Sequence, residues 1–342
     1  MRFDIIVGNP PYHETTGGGA CVESKTSLYD KFINKSLELC NKYVLMIIPS
    51  RWLTGGNTVL SDFRTSIVDT KTIKMICNFG NSKEIFGDAE IGGGVQFLLL
   101  DKHHNSFDVT VRQCNNKNGT TEVENESIRN LSKYKYIDAR GITEYMIIVD
   151  SKALSIIEKV LSKNETTYDS VMTTTYPFGI GCEFKSRDKE QDGDVRIVYS
   201  MGKYGYTSKN DIKKNLSEIN KYNIVTGKMS PDRGGLRDTT KSLVINKPKI
   251  LKPNEICTGT YIMIDSSDNE EVVNNINSYL KCKFTRFLIN CTITSVNINR
   301  KNFLFVPVQD YSIEWTDEML YKKYGLNWQE IKYIEDTIKK IN

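Results

Sequence analysis

Asp4-Ile5-Ile6-Val7-Gly8-Asn9-Pro10-Pro11-Tyr12 is the stretch from which this chain is read. Phe3 to Val7 is a short apolar run, as a buried parallel strand requires. Two prolines end any ladder directly after it. In an open parallel sheet, ligands bind beyond the carboxyl ends of the strands. At that point the stretch places an amide side chain, a stiff Pro-Pro turn and an aromatic ring. The prolines fix the backbone, so the Pro10 carbonyl is held in one direction. Asn9 offers a side-chain oxygen beside it. Two convergent acceptors suit an exocyclic amino group such as adenine N6. Accepting both N–H bonds favours a pyramidal nitrogen whose lone pair can attack a methyl group on a sulfonium. Tyr12 supplies a π-face on which a flipped-out base can stack. For the four letters Asn-Pro-Pro-Tyr alone, a tight loop after a strand is the simpler reading. The apolar strand and Asp4-x-x-x-Gly8 in front of them favour the chemical one.

Outward from this stretch, residues 13–27 read as a polar loop containing Gly17-Gly18-Gly19. Helical spacing follows over Leu28–Cys40, then an apolar strand over Tyr43–Ile48 closed by Pro49. A helix near 59–69 and strands at Ile73–Asn78 and Val95–Leu100 continue the alternation, with a Gly92-Gly93-Gly94 turn before the last. Strand and helix in alternation predict a doubly wound α/β sheet. Residues 115–130, rich in Asn, Thr and Glu, read as a surface loop or linker. A helix over Ser151–Leu161 leads into a polar stretch at 162–170, where the domain boundary is expected. Beyond it the pattern predicts short strands at 195–199, 243–246, 260–265 and 303–306 and a helix over 268–290. Thr316 can cap a first tail helix, and Asn327 with Glu330 resembles a capping box for a second.

The 342 residues are 39% hydrophobic and 26% charged, which excludes disorder as the main reading. No run approaches the ~20 apolar residues of a membrane span. The N-terminus shows no secretory leader pattern. Eight cysteines without a C-x-x-C pair, and three histidines, argue against a zinc site and for reduced thiols in the cytoplasm. Residues 195–310 hold 18 Lys and Arg against 10 Asp and Glu, so the basic charge is concentrated there. That excess favours a polyanionic partner, and charge alone leaves a solvated lysine surface as an equal alternative. Within it, Lys203, Tyr204 and Lys209 interleave cations and aromatics. Lys228, Arg233 and Arg237 lie on a Gly-rich stretch that reads as a flexible loop. Lys213 and Lys214 follow the first group. A rival chemistry, Glu183-Phe184-Lys185 with Asp169 holding Mg²⁺ for a nuclease, is common by chance and is set aside.

At this point the sequence resembles the N6-adenine DNA methyltransferases of restriction–modification systems, in the branch with a C-terminal target-recognition domain. The resemblance runs from the Asn9-Pro10-Pro11-Tyr12 motif through Tyr43 to Leu53 (YVLMIIPSRWL) and Glu84 to Leu98 (EIFGDAEIGGGVQFL). It continues at Pro177-Phe178-Gly179 and at Trp315 to Leu326 (WTDEMLYKKYGL). It implies that Asn9, Pro10 and Tyr12 are the catalytic residues that hold the target adenine. Tyr12 and Phe97 would stack on the base. It implies a partial Rossmann-like methyltransferase sheet over residues 1–162, an α+β target-recognition domain over 163–312 and a helical tail over 313–342. The implied substrate is double-stranded DNA and the implied cofactor S-adenosyl-L-methionine. The family's Gly-rich cofactor turn precedes the Asn-Pro-Pro-Tyr strand, and the chain starts on that strand. A second subunit carrying the S-adenosylmethionine-binding half is therefore expected. Phe178-Gly179-Ile180-Gly181 and Gly92-Gly93-Gly94 are poor substitutes, the first in a loop and the second in a turn. The alternative is a non-catalytic DNA-binding specificity subunit.

Overall fold

The computed structural model describes residues 2–16, 24–55, 58–87, 89, 91–117, 119–137, 141, 143–172, 176–232 and 241–341. They form two compact units, Met1–Leu154 and Ser155–Asn342. The predicted glycine run at 17–19 lies outside the described residues, as do Arg233 and Arg237.

In the first unit, β1 (Phe3–Gly8) leads to a short ribbon of β2 (His13–Thr16) and β3 (Ser24–Ser27), where a loop was expected. Polar residues on both faces leave no apolar alternation to announce such strands. Then follow α1 (Tyr29–Leu39), β4 (Cys40–Pro49), α2 (Thr58–Asp69), β5 (Ile73–Phe79), the short α3 (Lys83–Phe86) and β6 (Val95–Asp101). A long hairpin, β7 (Asp108–Lys117) and β8 (Thr120–Asn130), occupies the stretch read as a linker. β9 (Lys135–Ile137) and β10 (Thr143–Tyr145) pair antiparallel.

The main sheet has the order β1-β4-β6-β5-β7-β8. β1 and β4 are parallel, and β6 runs antiparallel between β4 and β5. The sheet is thus mixed rather than all-parallel. α1 turns Tyr29, Ile33 and Ser36 inward, one helical face apart. Tyr29 and Ile33 join Val44, Ile48, Trp52, Phe63, Leu98 and Leu100 in the main core. β1 differs from its sequence reading in one respect. An apolar run on both faces fits a doubly covered strand, yet β1 is an edge strand with Phe3, Ile5 and Val7 exposed at 44%, 59% and 68%.

α4 (Ser151–Leu161) carries the division between the units. The second unit begins its elements with α5 (Tyr168–Val171), β11 (Asp194–Val198), β12 (Tyr204–Ser208), β13 (Tyr222–Gly227), β14 (Lys249–Leu251), β15 (Glu255–Cys257) and β16 (Tyr261–Ser267). They form two three-stranded sheets, β12-β11-β15 and β14-β13-β16. Their shared core contains Phe178, Val195, Ile197, Val225, Leu251 and Met263. The helix expected over 268–290 is two, α6 (Glu270–Lys281) and α7 (Lys283–Asn290). Cys282 is extended between them, and the Asp317 carboxylate accepts from Lys283 N–H at 3.0 Å and Phe284 N–H at 2.8 Å. A carboxylate from a distant segment thus caps the second helix. α8 (Asp317–Lys323) is capped by Thr316, and α9 (Trp328–Thr337) by the Asn327–Glu330 capping box. Residues 243–246 are not a strand, because the Asp232 carboxylate takes their Leu243 and Val244 amides. Residues 303–306 close a short helical turn instead.

Candidate active site and nucleic-acid interface

The carboxyl ends of β1, β4 and β5 lie on one side of the sheet, because these strands run in one direction. β1 ends at Gly8, opposite Met46 on β4, where a Cβ would sit 3.2 Å from the Met46 sulfur. Beyond it Pro10 is buried and anchors the turn, while Asn9 and Pro11 are exposed. Among the described residues the Asn9 side chain has no hydrogen-bond partner, and the Pro10 carbonyl accepts no backbone bond. Among the described residues, both acceptors are therefore unclaimed. Tyr12 is half-buried against the main core, and its carbonyl accepts from Leu28 N–H at 3.2 Å, which ties the motif to the start of α1. Its hydroxyl is buried without a partner among the described residues. Burial pushes the phenol up to about 12, so the ring stays neutral.

Beside the motif, β4 runs into Ser50-Arg51-Trp52. Ser50 N–H donates to Gly94 O at 3.0 Å, and its hydroxyl donates to the Asn78 side-chain oxygen. Arg64 on α2 donates to Trp52 O and, at 3.0 Å, to Gly55 O, which closes this turn from behind. Gly94, at φ 80°, passes so close over β5 that a Cβ would lie 2.1 Å from Phe79 O.

Sequence reasoning missed Gln96. It lies between Ile48 on β4 and Asn78 on β5, is fully buried, and neither its amide nitrogen nor its oxygen has a partner among the described residues. Its signal was a lone polar residue in the apolar run Val95–Leu100. Phe97 is one residue further and faces the other way. Its ring meets Phe79 edge-on at 5.7 Å in a small cluster with Cys77 and Cys114. Tyr12 packs instead against the main core, which includes Leu98 and Ile48, so Phe97 and Tyr12 belong to different clusters.

In the second unit, the turn Thr258–Tyr261 gathers several of the expected contact residues. Thr258 N–H donates to Val198 O at 3.4 Å, beneath the β11–β12 hairpin that presents Lys203 and Tyr204. Thr260 O accepts from Lys228 N–H at 2.8 Å. Gly259 lies against the Tyr176 ring, over which Lys228 Nζ stands 5.5 Å from the centroid. Lys203 and Tyr204 are exposed, and Arg196 covers Tyr204 at 4.3 Å. Lys209 is exposed too but sits beyond the far end of β12. Asp169 is buried and accepts from the Thr167 hydroxyl at 2.5 Å. Among the described residues no group of His, Cys, Asp and Glu is placed to hold a metal ion. No described helix is long and apolar enough to cross a membrane.

Comparison with known proteins agrees with the sequence resemblance in the first unit. Residues 1–86 match the Eco57I restriction-modification methylase family. A Mycoplasma pneumoniae protein described as an uncharacterized adenine-specific methylase is 31% identical over 147 residues. Those residues are 43% of this chain, and the chain spans 34% of that relative's length. Among solved structures, the type IIL restriction-modification enzyme MmeI in complex with DNA is similar at a TM-score of 0.44, with 12% identity over 88% of this chain and 46% of its own. A modification subunit of a putative type I restriction enzyme from Vibrio vulnificus gives 0.33, with 11% identity over 43% and 38%. At these TM-scores the structural likenesses carry no argument. The resemblance to restriction–modification adenine methylases rests on the sequence matches.

Proposed function

We propose that this chain is the base-binding and DNA-binding part of an adenine-specific DNA methyltransferase, which transfers a methyl group to N6 of a flipped-out adenine. One observation carries the reading: beyond the carboxyl end of β1, the Asn9 amide and the Pro10 carbonyl stand beside Tyr12 without a partner among the described residues, in the segment that matches the methylase family. In this reading Asn9 Oδ1 and Pro10 O accept the two N6–H bonds, and the neutral Tyr12 ring supports the base. The β11–β12 hairpin presents Lys203 and Tyr204 to the DNA backbone, and the Thr258–Tyr261 turn beneath it holds Lys228 toward the same backbone, where cations position the duplex. Lys209 contacts a more distant phosphate; Arg233 and Arg237, expected from the sequence as further DNA contacts, lie outside the described residues.

The implied methyl donor is S-adenosyl-L-methionine, and the described residues do not fit it. Gly94 is pressed against Phe79 O and Gly179 packs on Lys213. Gly181 stands open, but among the described residues no strand leads into it and no helix follows it, so it does not form the strand–turn–helix cradle such a cofactor needs. No step is assigned through the cofactor. The bare face of Phe3, Ile5 and Val7 on an edge strand suits a further strand-bearing segment, which would bring the donor. The lack of a cradle among the described residues also favours a second reading, a DNA-binding specificity subunit without catalysis. Incubating the chain with its S-adenosylmethionine-binding partner, radiolabelled cofactor and DNA separates the two. Label in N6-methyladenine supports the methyltransferase. DNA binding without label in any base supports the specificity subunit.

A further inference from the structure

The β11–β12 hairpin closes over Tyr199-Ser200-Met201-Gly202-Lys203, with Tyr199 N–H donating to Lys203 O at 2.8 Å. Tyr199 is pinned twice more. Its hydroxyl donates to Phe184 O at 2.9 Å, and its carbonyl accepts from the Tyr261 hydroxyl at 3.2 Å. On this base Met201 adopts φ 60°, ψ 24°, the left-handed conformation that side chains disfavour and glycine tolerates. The position nevertheless carries a long apolar side chain. At 94% exposure it is the most exposed large apolar residue among those described.

An unfavourable backbone that presents an apolar side chain at a fixed tip points to a use for that side chain. The neighbours select the ligand. Lys203 is exposed, with no ion-pair partner among the described residues. Tyr204 is exposed beneath Arg196, and Lys228 is bonded into the same turn that supplies Tyr261. An apolar groove on another protein offers nothing to these cations. A nucleic acid offers phosphates to the lysines and a stacked apolar interior to the thioether, which is slim, unbranched and polarizable. We propose that Met201 is a wedge that enters the base stack of duplex DNA and opens one base step, while Lys203 and Lys228 hold flanking phosphates. Apolar wedges that part a base step are a known means of deforming a duplex, and an opened step makes extrusion of a neighbouring base less costly.

This inference rests on the DNA-binding reading, and the test separates the two. Random-sequence duplexes are enriched by binding to the full wild-type chain, then probed with permanganate, which oxidises unstacked thymines. Wild type should produce hypersensitive thymines at one fixed step. Met201→Gly suits the left-handed backbone, so the chain should remain at least as stable to heat. It should lose the hypersensitivity and bind ~10-fold more weakly. Met201→Leu should retain both signals. Unchanged hypersensitivity in Met201→Gly, or wild-type binding with no hypersensitive thymine, would overturn the wedge and leave DNA binding standing. If wild type enriches no duplex, the DNA-binding reading itself fails and the wedge with it.

Discussion

Arg64 Nη2 lies 3.0 Å from Glu144 Oε2, and both side chains are 1% exposed. The same guanidinium donates to Trp52 O and Gly55 O, so one buried charge joins β10 to the turn that follows β4 beside the candidate active site. Removing either partner alone leaves the other charge buried without this counter-charge, its remaining hydrogen bonds being to neutral groups such as Trp52 O, Gly55 O and the Tyr136 hydroxyl. Arg64→Leu and Glu144→Leu should each destabilise the first unit by ~3–5 kcal/mol. The double variant should recover part of that loss. Urea denaturation of the three variants checks this, and additive losses would contradict a coupled pair.

Gly94 and Gly119 share nearly the same backbone, at φ 80° and 78°, but not the same surroundings. Alanine at 94 would meet Phe79 O, whereas nothing lies within 4 Å of a Cβ at 119. Gly119→Ala should cost only the left-handed penalty, ~1–2 kcal/mol. Gly94→Ala should cost clearly more and disturb the Ser50–Gly94 bond. Equal melting temperatures for the two variants would show that the turn over β5 tolerates a side chain.

Burial works against the Glu330 carboxylate, but Lys159, the Asn327 amide and the Ser155 hydroxyl outweigh it and hold its pKa below the usual 4.5. The stabilisation from this cluster is therefore present above pH 4.5 and lost as pH falls through the lower folded value. Lys159 Nζ donates to Glu330 at 2.6 Å, so α4 is tied to α9. Glu330→Gln should flatten the acid limb of the stability–pH curve and leave its shape near neutrality unchanged. An acid limb identical to wild type would remove Glu330 from the acid response.

Lys203→Gln and Lys228→Gln should weaken DNA binding across sequences. Each should also reduce the slope of log affinity against log salt by ~1, because each lost phosphate contact releases fewer counterions. Titrations at several salt concentrations read the slope directly. A fall in affinity with an unchanged slope would mean that these lysines do not touch phosphate.

Much of the first unit was legible because its core strands are apolar runs, as in Tyr43–Ile48, and because the apolar positions Leu28, Phe32, Ile33 and Leu37 keep helical spacing, although of these Ile33 is buried, Leu37 partly so, and Phe32 exposed. The direction of β6 was not legible, since an apolar run carries no sign of polarity. The β7–β8 hairpin was missed because β8 is largely exposed and polar. Asn118-Gly119 between the strands was an overlooked turn signal. The break at Cys282 depends on Asp317, which lies 34 residues away from Lys283 and leaves no local trace. At the candidate site the motif was plain from its letters. Gln96 was not, because its burial comes from neighbouring strands rather than from its own segment.

The central assignment is that Asn9 accepts from adenine N6. It is tested most directly by sequencing modified bases in the DNA of the native host, with Asn9→Ala introduced at the chromosomal locus. Loss of a preorganised acceptor typically costs ~10²–10³ in rate. The expected result is that N6-methyladenine at one sequence motif disappears or falls to trace levels while the chain is still produced in soluble form. Unchanged N6-methyladenine at every motif, or loss of a methylated cytosine instead, would contradict the assignment.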